Sequence, residues 1–204
     1  MAYVLMPETE LLISFLLASI AIELTPGPNM SYLALLSAMR GRKAGLLVVA
    51  GVTTGLATSG LLAALGAAAI IEESPAIYHS LRWAGVLFML WLAYDCWRGD
   101  STVVDYGSRL FARGFIINLL NPKAWLFYIA LLPNFTTPNA PLLPQTLILT
   151  AISVTIATLV HVIIVFLGAR IKPYMDNPSI AKHTRTVFTL ILIGIAVWFA
   201  FSTR

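Results

Sequence analysis

The chain has 204 residues, of which 59% are hydrophobic and 11% charged, and its mean hydropathy is +0.86. A soluble domain usually carries about 45–50% apolar and about 25% charged residues, so one water-soluble core cannot bury this much apolar surface. The net charge is +4, but the bases lie in short breaks between long apolar runs and form no patch suited to nucleic acid. A single cysteine, Cys96, excludes a disulfide framework. The composition therefore predicts an integral membrane protein.

Six apolar runs are long enough to cross a hydrocarbon core of about 30 Å, which takes about 20 helical residues. They are Leu11–Met39, Ala44–Ile71, Tyr78–Trp97, Phe111–Leu132, Gln145–Ala169 and Val187–Phe201. We therefore expect an all-α membrane protein of six transmembrane helices. The linkers are too short for a soluble domain, so residues 1–204 are expected to form one membrane domain. The N-terminal segment has no Lys or Arg before the first run, which argues against a secretory signal.

The distribution of Lys and Arg predicts the orientation of the chain. Ten of these 13 residues fall in the loops after the first, third and fifth runs, namely Arg40, Arg42, Lys43, Arg98, Arg109, Arg113, Arg170, Lys172, Lys182 and Arg185. Only Arg82 and Arg204 fall on the opposite side. Because Lys and Arg concentrate in cytoplasmic loops, we expect the three basic loops to be cytoplasmic and both termini to lie outside.

Two of the six runs are interrupted by polar residues and proline. The first contains the motif TPGPN at residues 25–29, and the fourth contains NLLNPK at residues 118–123. Proline removes a main-chain donor and clashes with the carbonyl four residues back, and it disfavours helical backbone at the preceding residue. We therefore expect helix breaks formed by Pro26, Gly27, Pro28 and Pro122. A simple proline kink in a packed helix is the alternative for either motif alone.

The two interrupted runs cross the membrane in opposite directions. With six spans, the chain divides into halves of about 11–97 and 111–203, each beginning with its interrupted run, although no residue-by-residue repeat relates them. Inverted halves with matching broken helices are the layout of alternating-access carriers, whose binding sites lie at the breaks. The pattern favours two inverted three-helix repeats and a secondary transporter.

The same motifs resemble a known family. TPGPN, followed by the turn GRKAG at residues 41–45 and by Gly51 and Gly55, resembles the first half of the LysE/RhtB family of amino-acid exporters. NLLNPKA at residues 118–124, continuing to LPNF at 132–135, resembles the second signature of that family. The resemblance covers nearly the whole chain. It implies export of amino acids or close derivatives across the bacterial inner membrane, driven by an ion gradient.

Three positions depart from the pattern of the family that the chain resembles. Relatives often have a histidine where this chain has Ser59, and an acid where it has His161. Conversely, Glu23 is an acid where small or apolar residues are common. The ionisable residues inside the spans therefore differ from those common in the family, and we infer their roles from this sequence alone.

Glu23, Lys123 and His161 are the ionisable residues deepest in their runs. A charge at the bilayer centre costs about 2.5–3.5 kcal/mol on insertion scales unless it is paired or hydrated. Glu23 and Lys123 each lie about 18 Å of helix into their runs from opposite sides, so their depths overlap. We expect the two either to form an ion pair or to contact the substrate. Glu23 and His161 are the predicted coupling or gating residues, and H⁺ is favoured over Na⁺ as the coupling ion.

The polar residues at the two breaks predict a binding site for a small zwitterion. Such a substrate needs acceptors for its ammonium group and donors for its carboxylate. Asn118 and Asn121 are three residues apart and share a helical face, and Asn29 lies at similar depth in the other half. We predict that Asn29, Asn118, Asn121 and Lys123 bind an amino-acid-like substrate.

The sequence is also compatible with two other classes of protein. One is an intramembrane hydrolase with a Ser59–His161 dyad, although Ala57 stands where such serines usually have a glycine. The other is a passive small-solute channel. No phosphate loop, metal-ligand cluster or dinucleotide motif occurs, so no catalytic residue, cofactor or metal is predicted. The expected partners are the substrate, the coupling ion and the lipid bilayer, without nucleic acid, and a homodimer is compatible with the sequence.

Overall fold

The computed structural model describes residues 9–67, 73–98, 107–137 and 140–202. Regular structure in these ranges is entirely helical, which confirms the predicted all-α class for them. The α-helices are α1 (Thr9–Leu24), α2 (Pro28–Arg40), α3 (Arg42–Leu62), α4 (Pro75–Arg98), α5 (Ser108–Leu119), α6 (Pro122–Leu126), α7 (Leu142–Ala169) and α8 (Pro178–Ser202). A π-helical turn, Ala63–Ala67, extends α3, and the segments Phe127–Leu131 and Leu132–Phe135 extend α6. A 3₁₀ turn, Lys172–Asp176, precedes α8.

Four of the described helices are long and apolar enough to cross a membrane, namely α3 with its extension, α4, α7 and α8. Two further pairs of helices pass the same test as pairs but are bent. The angle is 55° between α1 and α2, and 50° between α5 and the segment Lys123–Phe135. The described chain thus has four candidate spans, or up to six if each bent pair is one span. Both bends fall at the two predicted proline motifs.

The last helix begins earlier than the apolar pattern indicated. It starts at Pro178, whereas the short sixth run, which begins at Val187, was expected to extend only a few residues earlier. The Asn177 side chain accepts hydrogen bonds from the first two main-chain N–H groups after this proline (3.0 and 3.4 Å). Asparagine before a helix and proline at its first position are favoured there, so this cap extends α8 through a basic segment. The expected end of the second run, Ile71, and the external base Arg204 lie outside the described residues.

Glycines bring α3 and α5 into direct main-chain contact. A Cβ atom on Gly51 would overlap a main-chain carbonyl of α5, and one on Gly114 would overlap a main-chain carbonyl of α3. Such spacing of small residues lets membrane helices approach closely. Gly55 faces Asn118 across the same contact. The tight fit therefore fixes the height of Asn118, a predicted site residue.

The remaining helices surround this pair. α7 packs against α1, α2 and α3, and α4 packs against α8. The largest apolar cluster lies where α2, α3, α5 and α7 meet, and it includes Leu33, Val48, Ile117 and Val165. This core brings the bend between α1 and α2 close to the bend between α5 and α6.

Candidate functional site

The first break lies between α1 and α2. The last hydrogen bond of α1 runs from Thr25 N–H to the Ile22 carbonyl (3.0 Å), and Gly27 is the extended N-cap residue of α2. Pro28 occupies the first position of α2, where a missing N–H costs nothing. Pro26 is exposed, whereas Gly27 and Pro28 are buried. The break therefore presents the carbonyl end of α1 and the amide end of α2 to the same region.

The second break lies between α5 and α6 and has a similar design. Asn121 is the N-cap of α6, and its side chain accepts a hydrogen bond from the main-chain N–H of Lys123 (3.1 Å). Pro122 takes the first helical position, as Pro28 does in α2. The Trp125 indole N–H donates to the Leu119 carbonyl at the end of α5 (2.8 Å). These contacts satisfy main-chain groups that a break inside an apolar span would otherwise leave unpaired.

Lys123 joins the two breaks. Its ammonium donates to the main-chain carbonyls of Ile22 (2.6 Å) and Thr25 (2.9 Å), at the carboxyl end of α1. Helix carboxyl ends carry unpaired carbonyls and a partial negative charge, so a lysine there is favourable. The side chain passes beside Gly27.

Two asparagines connect the halves at the same level. The Asn29 amide Nδ2 donates to Oδ1 of Asn118 over 2.9 Å, and both side chains are buried. The other polar atom of each side-chain amide is buried without a hydrogen-bond partner among the described residues. These atoms are Oδ1 of Asn29 and Nδ2 of Asn118. A buried polar group without a partner is costly, so the pair offers one acceptor and one donor to a ligand or to water.

Glu23 contacts His161 more closely than the expected lysine. Its Oε2 lies 3.7 Å from Nε2 of His161, which is 2% exposed. Nδ1 of His161 has no partner among the described residues. Lys123 remains an electrostatic neighbour of both groups, but its hydrogen bonds go to carbonyls of α1. The structure thus brings the two predicted coupling residues together.

The predicted site residues line one cavity. Its lining includes all six residues predicted for binding or coupling, namely Glu23, Asn29, Asn118, Asn121, Lys123 and His161, together with Gly27. The free space has room for roughly two water molecules. An amino acid therefore fits only after the lining helices move apart.

Three polar residues of the same cavity were missed by the sequence analysis. They are Ser19, Tyr128 and Ser153. Ser19 lies one helical turn before Glu23, so its position on the face of Glu23 could have been predicted. Tyr128 donates to the Leu56 carbonyl in α3 (3.0 Å), a partner that no spacing in the sequence indicates. Its ring thus closes one side of the cavity.

The structure does not favour the serine–histidine dyad. α3 and α7 run antiparallel, and the hydroxyls of Thr53 and Thr158 are hydrogen-bonded (2.8 Å). In this register Ser59 and His161 lie on opposite sides of that bond and are about 13 Å apart along the helix axes. Ser59 is fully buried and does not line the cavity.

A buried polar cavity between the ends of broken helices is the type of site that membrane carriers use. The LysE type translocator family model matches residues 20–203 of this chain. The chain therefore belongs to the LysE type translocator family, a family of amino-acid efflux transporters.

Relatives of known name align over most of their length. The homoserine/homoserine lactone efflux protein of Salmonella typhimurium is 28% identical over 190 residues, covering 89% of this chain and 92% of the relative. The leucine efflux protein of the same species is 29% identical over 194 residues, covering 90% and 91%. An uncharacterized membrane protein of Vibrio cholerae is 26% identical over 195 residues, covering 92% and 95%. No solved structure matches the chain.

The contacts of Lys123 predict a measurable role in stability. Lys123→Met removes a charged donor from two carbonyls, and hydrogen bonds to charged groups contribute about 1.5–3 kcal/mol. We expect the melting temperature of the purified protein in detergent to fall by about 5 °C or more. Lys43→Met, which removes an exposed lysine from the first turn of α3, is the control and should melt as the parent does. Equal melting of Lys123→Met and the parent would show that these bonds do not hold α1.

Proposed function

We propose that the protein is a secondary active exporter that moves amino acids, or similar small zwitterions, outward across the bacterial cytoplasmic membrane. The observation that carries this proposal is the single cavity at two helix breaks, where buried asparagine amides keep unpaired polar atoms. The family membership and the efflux activities named for the relatives support the same function.

We further propose six spans arranged as two inverted halves, 11–97 and 111–203. Each bent pair then counts as one interrupted span, and α3, α4, α7 and α8 supply the other four. If the halves are related by a two-fold axis in the membrane plane, α3 corresponds to α7 and α4 to α8. Both corresponding pairs are in contact, which supports this arrangement. The N-cap and proline that open both α2 and α6 support it further.

The substrate, in this proposal, exchanges places with Lys123. A zwitterion carries an ammonium group, which can replace the lysine ammonium as the donor to the Ile22 and Thr25 carbonyls. The displaced lysine is then available to the substrate carboxylate, together with the N–H groups at the start of α2 and the unpaired Nδ2 of Asn118. Neither an amine nor a carboxylic acid alone would satisfy both sides of this exchange.

Glu23 and His161 are the groups that we propose for coupling to a proton gradient. Burial disfavours the charged form of a carboxyl and of an imidazole alike, and a proton shared between the two removes that conflict. The 3.7 Å separation allows such sharing after a small movement. The coupling ion would then be H⁺, as the sequence analysis favoured. A homodimer stays a prediction that the contacts of this chain do not test.

The orientation can be tested by cysteine labelling. In a Cys96→Ser background, Ser74→Cys lies in a predicted external loop and Gly107→Cys in a basic, predicted cytoplasmic loop. We expect a membrane-impermeant maleimide to label intact cells at position 74 and to reach position 107 only after permeabilisation. The reverse labelling pattern would invert the direction that we assign to transport.

Efflux from proteoliposomes tests the function itself. Vesicles loaded with labelled leucine or homoserine should lose the label against its concentration gradient when a pH gradient is imposed, and a proton uncoupler should abolish this loss. Loss of the label only down its concentration gradient, unchanged by the uncoupler, would indicate a passive channel. Asn118→Leu, which replaces the unpaired amide by an apolar side chain of similar size, should reduce efflux about fivefold or more, because an unmet buried polar contact costs about 1–3 kcal/mol.

The coupling role of Glu23 is tested by Glu23→Gln, which keeps the shape of the side chain but does not titrate. We expect efflux driven by the pH gradient to be lost while exchange of leucine for leucine continues. Glu10→Gln is the matched control, since Glu10 is an exposed acid on the same helix. If Glu23→Gln shows the parental rate and pH dependence, Glu23 is not the coupling group.

A further inference from the structure

We propose that a second cavity, near the basic ends of α2 and α4, is a binding site for the carboxylate of the outgoing substrate. Its polar lining comprises Tyr32, Arg40, Asp95, Cys96, Arg113 and Arg185. This inner cavity has more free space than the central one. The proposal rests on the function proposed above, because it treats the cavity as the place where a cytoplasmic amino acid is first bound.

Two buried donors in the inner cavity lack partners. The Tyr32 side chain is 5% exposed, and its hydroxyl has no hydrogen-bond partner among the described residues. The Arg113 guanidinium lies beside this hydroxyl and can only donate to it, so the hydroxyl proton is left without an acceptor. Nε of Arg185 is also buried and unpartnered within the described part of the chain. A cavity with a phenol and a guanidinium donor left unpaired is suited to an acceptor ligand.

The charges of the cavity favour an anionic group. Among the described residues that line the cavity, Asp95 supplies the carboxylate. It already forms an ion pair with Arg113, whose Nη1 lies 2.6 Å from Oδ2 of Asp95. The ring of Trp91 lies against the same guanidinium, 4.8 Å from ring centre to Cζ. Arg113 is thus held in place by an acid and an aromatic ring. Arg185 adds a further positive charge to the lining, and guanidinium groups bind carboxylates well.

The inner cavity is continuous with the substrate pathway in the fold. α2 supplies Asn29 to the central cavity and Tyr32 to the inner one, only about 4.5 Å further along the helix. α5 likewise supplies Asn118 to the central cavity and Arg113 to the inner one. Both helices run from the broken-helix level toward the basic loops. A carboxylate bound between Tyr32 and Arg185 therefore lies one step before the central cavity on the predicted cytoplasmic side.

Transport kinetics test the loading role. Arg185→Gln should raise the leucine KM at least tenfold when leucine is supplied from the face that carries Gly107. This is the loss expected for one charge-assisted hydrogen bond. The KM from the opposite face should stay the same. Inhibition by 3-methylbutylamine, which is leucine without its carboxylate, should also be unchanged. Tyr32→Phe, a smaller alteration, should raise the same KM several-fold.

Lys182→Gln is the matched control, because Lys182 is exposed on α8 one turn from Arg185. It should leave both KM values at the parental level. Equal changes from both faces, or equal effects of Lys182→Gln and Arg185→Gln, would overturn the proposal.

A binding measurement separates this proposal from the proposed function. Cys96 lines the inner cavity and is the single cysteine of the chain, so its modification by a small cationic thiosulfonate reports occupancy without transport. Leucine and acetate should slow the reaction, 3-methylbutylamine should not, and Arg185→Gln should abolish the protection. Protection without leucine efflux would refute the exporter but keep the site. A thiol that does not react, or reacts equally with and without leucine, overturns the site.

Discussion

Main-chain groups opened at two helix breaks must find partners inside the protein, because a bilayer offers none, and the rest of the structure depends on this constraint. At the first break the carbonyls of Ile22 and Thr25 are met by Lys123, which belongs to the second break. Asn29 is met by Asn118 in the same way. Each break is thus completed by the other half of the chain, and the polar groups that remain unpaired after this exchange define the cavity.

The same constraint supports the proposal that the substrate is a zwitterion. The carbonyls under Lys123 are acceptors that another cation can use, and Lys123 and the unpaired amide of Asn118 are donors for an anion. A ligand with a single charge would leave either these acceptors or these donors without a partner, and at membrane depth an uncompensated charge is costly. An amino acid supplies both charges, so it can replace the internal contacts of Lys123 without adding net charge to the site.

The sequence alone predicted the heights of the site residues well but not their partners. Proline and asparagine motifs located both breaks, and depth along the first and fourth apolar runs brought Glu23 and Lys123 to a common level. Depth does not determine rotation about the helix axis, and rotation decides that Glu23 faces His161 while Lys123 reaches α1. Tyr128 was missed because its partner, a carbonyl of α3, depends on tertiary packing. α8 begins further before its apolar run than expected, because the cap at Asn177 extends the helix through residues that are not apolar.

The packing of the described helices also indicates which element a bound substrate would release. α5 lies against α3 with main chains in contact at Gly51 and Gly114, so these helices move as one body. α1 is held far less firmly, since Phe15 and Ser19 are its buried residues, and Phe15 packs on rings of the segment after α6. The bonds from Lys123 therefore add to the packing of α1 on α7 and on the segment after α6. In the proposed exchange, a substrate ammonium that takes over those carbonyls would free the lysine that ties α1 to the second half, so occupancy of the site would release α1.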